Sequence, residues 1–274
     1  MVKSYSPPLR LRRARAREDV SLERLGRGRW QGRLSERWNI GAGINGGYLA
    51  SFVLSAMRSE SPAPDPLTMT VHYVQRPATG PALVATELVR AGRTHATVEA
   101  RLEQGGGAVA AALATFGRWR EPTPIDFQPE TPAVPDPESC VELEKPSAPE
   151  MTFLDRFRYR VASPEDHVFE RSTPGRARSG GWIRLVDRDL DALAVPLVMD
   201  AWPPAIFSTF LGGGAPTIEL TVHWRGRPRT TWHLAQFASR LLAGGYVEED
   251  GELWDQEGRL VAQSRQLARF LPPG

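Results

Sequence analysis

The strongest constraint on this chain is an internal repeat. Thr70-Val71-His72-Tyr73, followed by Arg76-Pro77, returns as Thr221-Val222-His223-Trp224, followed by Arg227-Pro228, at a constant offset of 151 residues. At an offset of 152, Ala91-Gly92 meets Ala243-Gly244, Gly106 meets Gly258, and Val109-Ala110 meets Val261-Ala262. Matching spacing held over about 40 residues argues for a duplicated unit of roughly 120 residues.

Both copies predict the same order of elements. In the first, 46–57 reads as a buried helix, because its residues favour helix and are apolar on most faces. Strands follow where Met69, Val71 and Tyr73 alternate with polar neighbours, and again over 82–90, 94–103 and 108–119, each bounded by a glycine-containing turn. The second copy predicts a helix over about 193–211 and strands over 217–225, 231–242, 246–255 and 260–271. Early strands over 29–37, 153–161 and 181–186 complete the halves. One long buried helix with a mainly antiparallel sheet around it is an α+β layer architecture.

Charge divides the chain in the same place. Residues 121–150 hold eight acids and one base amid prolines, the signature of a semi-extended linker. Four segments are therefore expected: a basic arm over 1–19, a first unit over 20–120, the linker over 121–150, and a second unit over 151–274. Outside the linker Lys+Arg number 33 against 24 Asp+Glu, a charge of +9 that favours an anionic ligand such as a phosphorylated cofactor. The 41% hydrophobic and 24% charged content is that of a globular protein and excludes disorder, collagen and coiled coil. A single cysteine, Cys140, rules out an internal disulfide and a Cys-rich zinc site. No run of about 18 apolar residues and no secretory signal are present, so a cytoplasmic protein without membrane insertion is expected.

Several polar residues stand where the pattern calls for apolar ones. Asp200 lies in VPLVMDAWPPAIF, and its counterpart at the 151 offset is Leu49, so the fold accepts a hydrocarbon there. Burying a carboxylate is costly without a reason, although an Asp turned to solvent or bonded to a nearby amide also fits. On the last strand Ala262, Ser264, Ala268 and Phe270 alternate with Gln263, Arg265 and Arg269, which places Gln266 on the inward face. Its counterpart is Ala114. An inward amide offers a donor and an acceptor to a water, or else satisfies a backbone group at a sheet edge. Thr217 opens a strand and has Pro66 as its counterpart. Gly46 and Gly47 open the first helix, either to admit a crowded chain or to present free amides to an anion. Trp202, Phe207 and Phe210 near Asp200 suggest an apolar substrate group, or simply core. His72 and His223 lie on the polar strand face and have no G-x-S-x-G elbow to activate. No H-x-E, H-E-x-x-H or paired-Cys motif occurs, so neither a metal nor a redox cofactor is expected.

Asn45-Gly46-Gly47-Tyr48, Arg76-Pro77, Trp182-Ile183-Arg184, Asp200 in PLVMDAWPP, Thr217-Ile218-Glu219 and the terminal VAQSRQ together resemble the acyl-CoA thioesterase II family and its thioesterase-like relatives. The resemblance covers about residues 20–120 and 150–271. It implies a double hotdog, two tandem units each with a sheet wrapped around a central helix. It also implies hydrolysis of an acyl-CoA, with Asp200, Thr217 and Gln266 orienting the attacking water. Amides near Gly46 and Gly47 are implied as oxyanion donors, and Arg90 and Arg93 as partners of the CoA phosphates unless they are solvated surface arginines. Counting back from Arg227-Pro228 puts the threonine position on Ile218. Keeping Thr217 therefore requires a bulge, with Glu219 and Thr221 as reserve candidates on its strand face. The family commonly self-associates, so a homo-oligomer is expected. The rival readings are a non-catalytic acyl-CoA-binding module, a hydratase lacking its Asp/His motif here, and a polyanion binder using Arg10, Arg12, Arg13, Arg15 and Arg17. No reading motif accompanies that arm, so nucleic acid is not expected as a partner.

Overall fold

The computed structural model describes residues 19–41, 43–120, 126–146, 148–163, 177–210 and 213–273. The arginine-rich arm expected over 1–19 thus lies, all but its last residue, outside the described residues.

The first unit runs β1 (Leu22–Gly26), β2 (Arg29–Leu34), β3 (Asn39–Ile40), β4 (Gly43–Ile44), α1 (Gly46–Glu60), β5 (Asp65–Tyr73), β6 (Gly80–Ala91), β7 (Ala96–Gln104) and β8 (Gly107–Gly117). The second runs β9 (Val141–Glu142), β10 (Phe157–Val161), β11 (Arg178–Leu185), α2 (Val195–Met199), β12 (Thr217–Trp224), β13 (His233–Ala238), β14 (Leu242–Ala243), β15 (Tyr246–Asp255) and β16 (Leu260–Arg269). Among the described residues all but β3 and β4 join one antiparallel sheet, in the order β1-β2-β6-β7-β8-β5-β12-β16-β15-β13-β11-β10-β9, with β14 pairing β15.

The two copies meet at the repeat itself. β5 pairs β12 with Thr70 opposite Thr221, and their hydroxyls lie 2.8 Å apart. The approximate twofold axis of the duplication therefore passes between these threonines. Apolar faces of both halves close over α1 and α2 in one continuous core that includes Phe52, Leu54, Met57, Val98, Leu197, Leu220 and Val222. The sequence pattern of each strand explains this, since inward residues alternate with polar ones that face outward.

Two expectations need correction. The helix expected over 193–211 is only the five residues of α2, flanked by single turns at Ala192–Ala194 and Ala205–Ser208. Pro203 and Pro204 explain the break: neither can donate to the helix, and proline pushes the preceding Trp202 out of the helical region. Asp200 is consequently the residue that ends α2, with φ −130° and ψ 25°. The stretch 153–161 likewise opens with a turn at Thr152–Arg156 before β10.

The described part of the proline-rich stretch packs closely. Pro135 O accepts from Trp182 Nε1 at 2.8 Å, Gln128 Nε2 donates to Gly258 O at 2.6 Å, and β9 pairs with β10. With Cys140 and Val134 it covers Trp182, Trp232 and Trp254 on the side of the sheet away from the helices. No helix among the described residues is long and apolar enough to cross a membrane.

Candidate active site

Asn45 caps α1, its Oδ1 accepting from the Tyr48 N–H at 2.9 Å. The next two residues must be small. A Cβ on Gly47 would stand 2.3 Å from Pro196 O and 2.8 Å from Asp200 Cβ, so only glycine lets α1 and α2 approach this closely. That contact carries Asp200 onto the start of α1. Its Oδ2 accepts from the Gly47 N–H at 2.7 Å and from Asn45 Nδ2 at 2.9 Å, and Asn45 Nδ2 also donates to the Asp200 carbonyl at 2.9 Å. The positive end of a helix is a natural seat for a carboxylate. Of the two uses open to the glycines, crowding is thus satisfied, and the amide expected to face an oxyanion is already given to Asp200.

Burial pushes the Asp200 carboxyl up to about 6, against the opposing pull of the Gly47 amide, Asn45 and the Gly46 amide. Tyr73, at the end of β5, donates its hydroxyl to Gly46 O at 2.8 Å and completes this corner. Its own pKa is raised well above the ordinary value by burial and by the charges of Asp200 and Glu219.

A second group of side chains rests on three neighbouring strands. The register of β12 on β16 skips one residue between Thr217 and Glu219, so Ile218 is a bulge. The first unit has the same irregularity at the equivalent place, between Pro66 and Thr68. The bulge turns Thr217 to the face of Leu220 and Gln266, whereas Glu219 and Thr221 turn to the other. There Thr221 Oγ1 donates to Glu219 Oε1 at 2.5 Å. The two reserve candidates therefore do not share the face of Thr217, as unbroken alternation had implied. Thr217 Oγ1 donates to Gln266 Oε1 at 3.2 Å. Gln266 Nε2 in turn donates to Glu249 Oε1 at 2.8 Å, and the Ala205 N–H reaches Glu249 Oε2 at 2.5 Å. Burial raises the Glu249 carboxyl to about 7, reinforced by the nearby charges of Asp200 and Glu248 and opposed by the Ala205 amide and Gln266. A Cβ on Gly251 would stand 2.9 Å from Met199 Cε, so the end of α2 that carries Asp200 packs on the inward face of β15 that carries Glu249, and its charge raises the proton affinity of Glu249.

The duplication supplies an internal control. Gln266 lies opposite Glu249 and Leu220, as Ala114 lies opposite Val98 and Met69. By register Thr217, Glu249 and Gln266 occupy the places of Pro66, Val98 and Ala114, and the 151-residue offset matches Asp200 with Leu49; all four first-unit residues are buried. One half of the chain fills these positions with hydrocarbon and the other with a connected polar group.

Glu249 and Asn45 are site residues that the sequence reading did not single out. Glu249 had a signal, because it interrupts the inward series Val247, Gly251 and Leu253 on β15. Asn45 had the weaker signal of a capping residue before a helix.

Arg90, Arg93, His72 and His223 lie apart from these groups. Arg90 and Arg93 are exposed in the β6–β7 hairpin. Its tip aligns through Ala96, Phe116 and Pro66 with the start of β5, whereas Asp200 adjoins Tyr73 at the other end, about 24 Å away along the strand. His72 pairs with Glu219 and His223 with Thr68, both on the outward face. Trp202 is buried edge-on against Tyr159, with ring centroids 5.1 Å apart, and is core. Phe207 packs with Ile206, Val247 and Ala268, and Phe210 lies 5.5 Å from the Phe270 ring.

Two tandem units, each with an antiparallel sheet wrapped around a helix, define a double hotdog. The acyl-CoA thioesterase N-terminal domain family matches residues 34–117 and the acyl-CoA thioesterase C-terminal domain family matches residues 137–270. The chain belongs to the acyl-CoA thioesterase family. A structure from Thermobifida fusca YX assigned as a thioesterase II superposes with a TM-score of 0.86 at 29% identity, covering 93% of this chain and 97% of that one. A conserved hot dog fold protein of unknown function from Alicyclobacillus acidocaldarius gives a TM-score of 0.84 at 24% identity, covering 94% and 98%. An uncharacterized protein of Mycobacterium tuberculosis H37Rv is 26% identical over an alignment of 266 residues, covering 87% of this chain and 90% of its own. Thioester hydrolysis is the reaction class that membership supports.

Proposed function

We propose that this chain hydrolyses an acyl-CoA to free CoA and a carboxylic acid through direct attack of one water, with a single active centre per chain, in the second unit. The observation that carries the reading is that Thr217 and Gln266 stand where the first unit has buried Pro66 and Ala114, with Asp200 at the 151-residue offset from buried Leu49.

Asp200 is the base. A carboxyl raised to about 6 is ionised near neutral pH yet binds a proton more tightly than an ordinary aspartate, which suits proton transfer from water. The water oxygen bonds to the thioester carbonyl carbon as its proton passes to Asp200. The tetrahedral intermediate then breaks its C–S bond, and the departing CoA sulfur recovers the proton from Asp200. Thr217, itself held by Gln266, orients the water. Gly46 and Gly47 contribute by holding the carboxylate through their amides rather than by meeting the oxyanion directly. No acyl-enzyme forms and no metal or redox cofactor takes part. Val247 and Ala268, the next inward residues beyond Glu249 and Gln266, join Ile206, Phe207 and Phe270 in an apolar wall that favours an apolar acyl group. Among the described residues β1 and β9 are the end strands of the sheet, which supports self-association through a sheet edge, and sedimentation would read it directly.

Thiol release from acyl-CoAs ranging from acetyl to palmitoyl, aromatic acyl groups included, tests the reading with wild type and Asp200→Asn in parallel. Release that collapses in the variant is expected. Binding of the esters with no release from any of them would refute hydrolysis in favour of a binding module.

A further inference from the structure

Gln266 has two unlike ends, and which end faces which neighbour decides what Thr217 can offer a water. Its Nε2 donates to Glu249 Oε1 at 2.8 Å, and its Oε1 accepts from Thr217 Oγ1 at 3.2 Å. An ionised carboxylate only accepts, so it keeps the NH2 end of Gln266 toward itself and leaves the carbonyl end to Thr217. The threonine then spends its one proton on Gln266 and presents only lone pairs elsewhere. Protonation of Glu249 at Oε1 reverses the sequence. The carboxylic acid donates to the flipped amide carbonyl, the NH2 end donates to Thr217, and the threonine proton is released toward the water.

We propose that Glu249 is a positioning residue that sets the direction of the hydrogen-bond chain from Thr217 through Gln266, and that its ionised form alone makes Thr217 an acceptor for the attacking water. The inference rests on the hydrolytic reading above. A water whose two O–H bonds point to acceptors, Asp200 and Thr217, keeps a lone pair free for the carbonyl carbon. A water that instead accepts a hydrogen bond from Thr217 loses one of the two acceptors that fix its orientation, and donation to its oxygen draws away electron density that attack on the carbonyl carbon needs.

Three observations support the assignment. The Ala205 N–H holds the second oxygen of Glu249 at 2.5 Å, so the carboxylate is fixed from both sides. Val98 and Ala114 occupy the equivalent places in the first unit, so the fold itself does not require a carboxylate there. The groups acting on Glu249 are Asp200 and Glu248, which raise its proton affinity, and Gln266 and the Ala205 amide, which lower it; with burial they bring its titration to about 7. The direction of the chain therefore changes near neutral pH.

The test compares wild type with Glu249→Gln and Glu249→Asp, following kcat and KM against pH. It also follows the side-chain amide 1H–15N signals of Gln266, assigned by their loss in Gln266→Ala. In wild type those signals should shift with a midpoint near pH 7, in step with a rise in kcat. Glu249→Gln should lower kcat about 10²-fold at unchanged KM and abolish that titration, and Glu249→Asp should restore part of both. Amide signals that stay fixed through neutral pH, or a Glu249→Gln variant with wild-type kcat and pH profile, overturn the proposal. Should wild type release no thiol, the hydrolytic reading fails on its own, and the amide titration still decides the direction of the chain.

Discussion

Replacing Asp200 with asparagine should stabilise the fold as it removes activity. The carboxyl titrates at about 6 in the folded chain against 3.8 without its surroundings, chiefly because protein displaces water around it. The folded state therefore holds this proton more tightly than the unfolded chain does. Protonation favours folding below about pH 4, and the advantage is lost as pH rises through 6. At 1.36 kcal/mol for each tenfold change in proton affinity, an ionised Asp200 costs the fold about 3 kcal/mol at pH 8. Asparagine keeps the shape, and its Oδ1 can still accept from the Gly47 N–H and Asn45. It carries no charge to desolvate. Removing the charge also relieves Glu249, whose proton affinity Asp200 raises. Urea unfolding of both proteins at pH 4 and pH 8 reads the effect, because Asp200 is neutral at the first and ionised at the second, with the relief of Glu249 acting in the same direction. The stability of Asp200→Asn relative to wild type should rise by most of about 3 kcal/mol between them, while kcat falls about 10²–10⁴-fold. A relative stability that does not change with pH would show that Asp200 is solvated like an ordinary surface carboxylate, and the argument from burial would be wrong.

Gly47→Ala must force α1 from α2, since its Cβ meets Pro196 O at 2.3 Å; a loss of about 1–3 kcal/mol is expected, read as a lower Tm, with kcat falling as Asp200 is displaced. Gln266→Ala strips Glu249 of a donor and Thr217 of its acceptor, so kcat should fall, and the extra stability lost between pH 6 and pH 8 should show in urea unfolding. Arg90→Ala and Arg93→Ala lie at the far end of β5 from Asp200, and KM for the thioester should stay at its wild-type value. A raised KM there would place the CoA phosphates on that hairpin.

Much of the architecture is legible in the sequence. The 151-residue offset identified two units, and the same threonines that mark it face each other across β5 and β12. Alternation on the last strand placed Gln266 inward, as it is. The conflict over Thr217, counted from the helix or from Arg227-Pro228, announced a bulge, and the bulge is present at Ile218. The second helix stops at Met199 although apolar composition continues toward 211, because Pro203 and Pro204 break it.

Local pattern determined these features because hydrophobic periodicity and strand register depend on residues a few positions apart. The site depended on contacts between residues far apart in the chain. Asp200 meets Asn45 and Gly47 across about 150 residues, and no spacing encodes the approach of α1 to α2 that hands the helix amides to a carboxylate. Glu249 interrupts an inward series on β15, but its partner Gln266 is fixed only by β15 lying beside β16. The sequence alone decided where polar groups interrupt an apolar pattern. Only the tertiary structure decided which of them meet, because burial and hydrogen-bond direction exist only once both halves have closed over the helices.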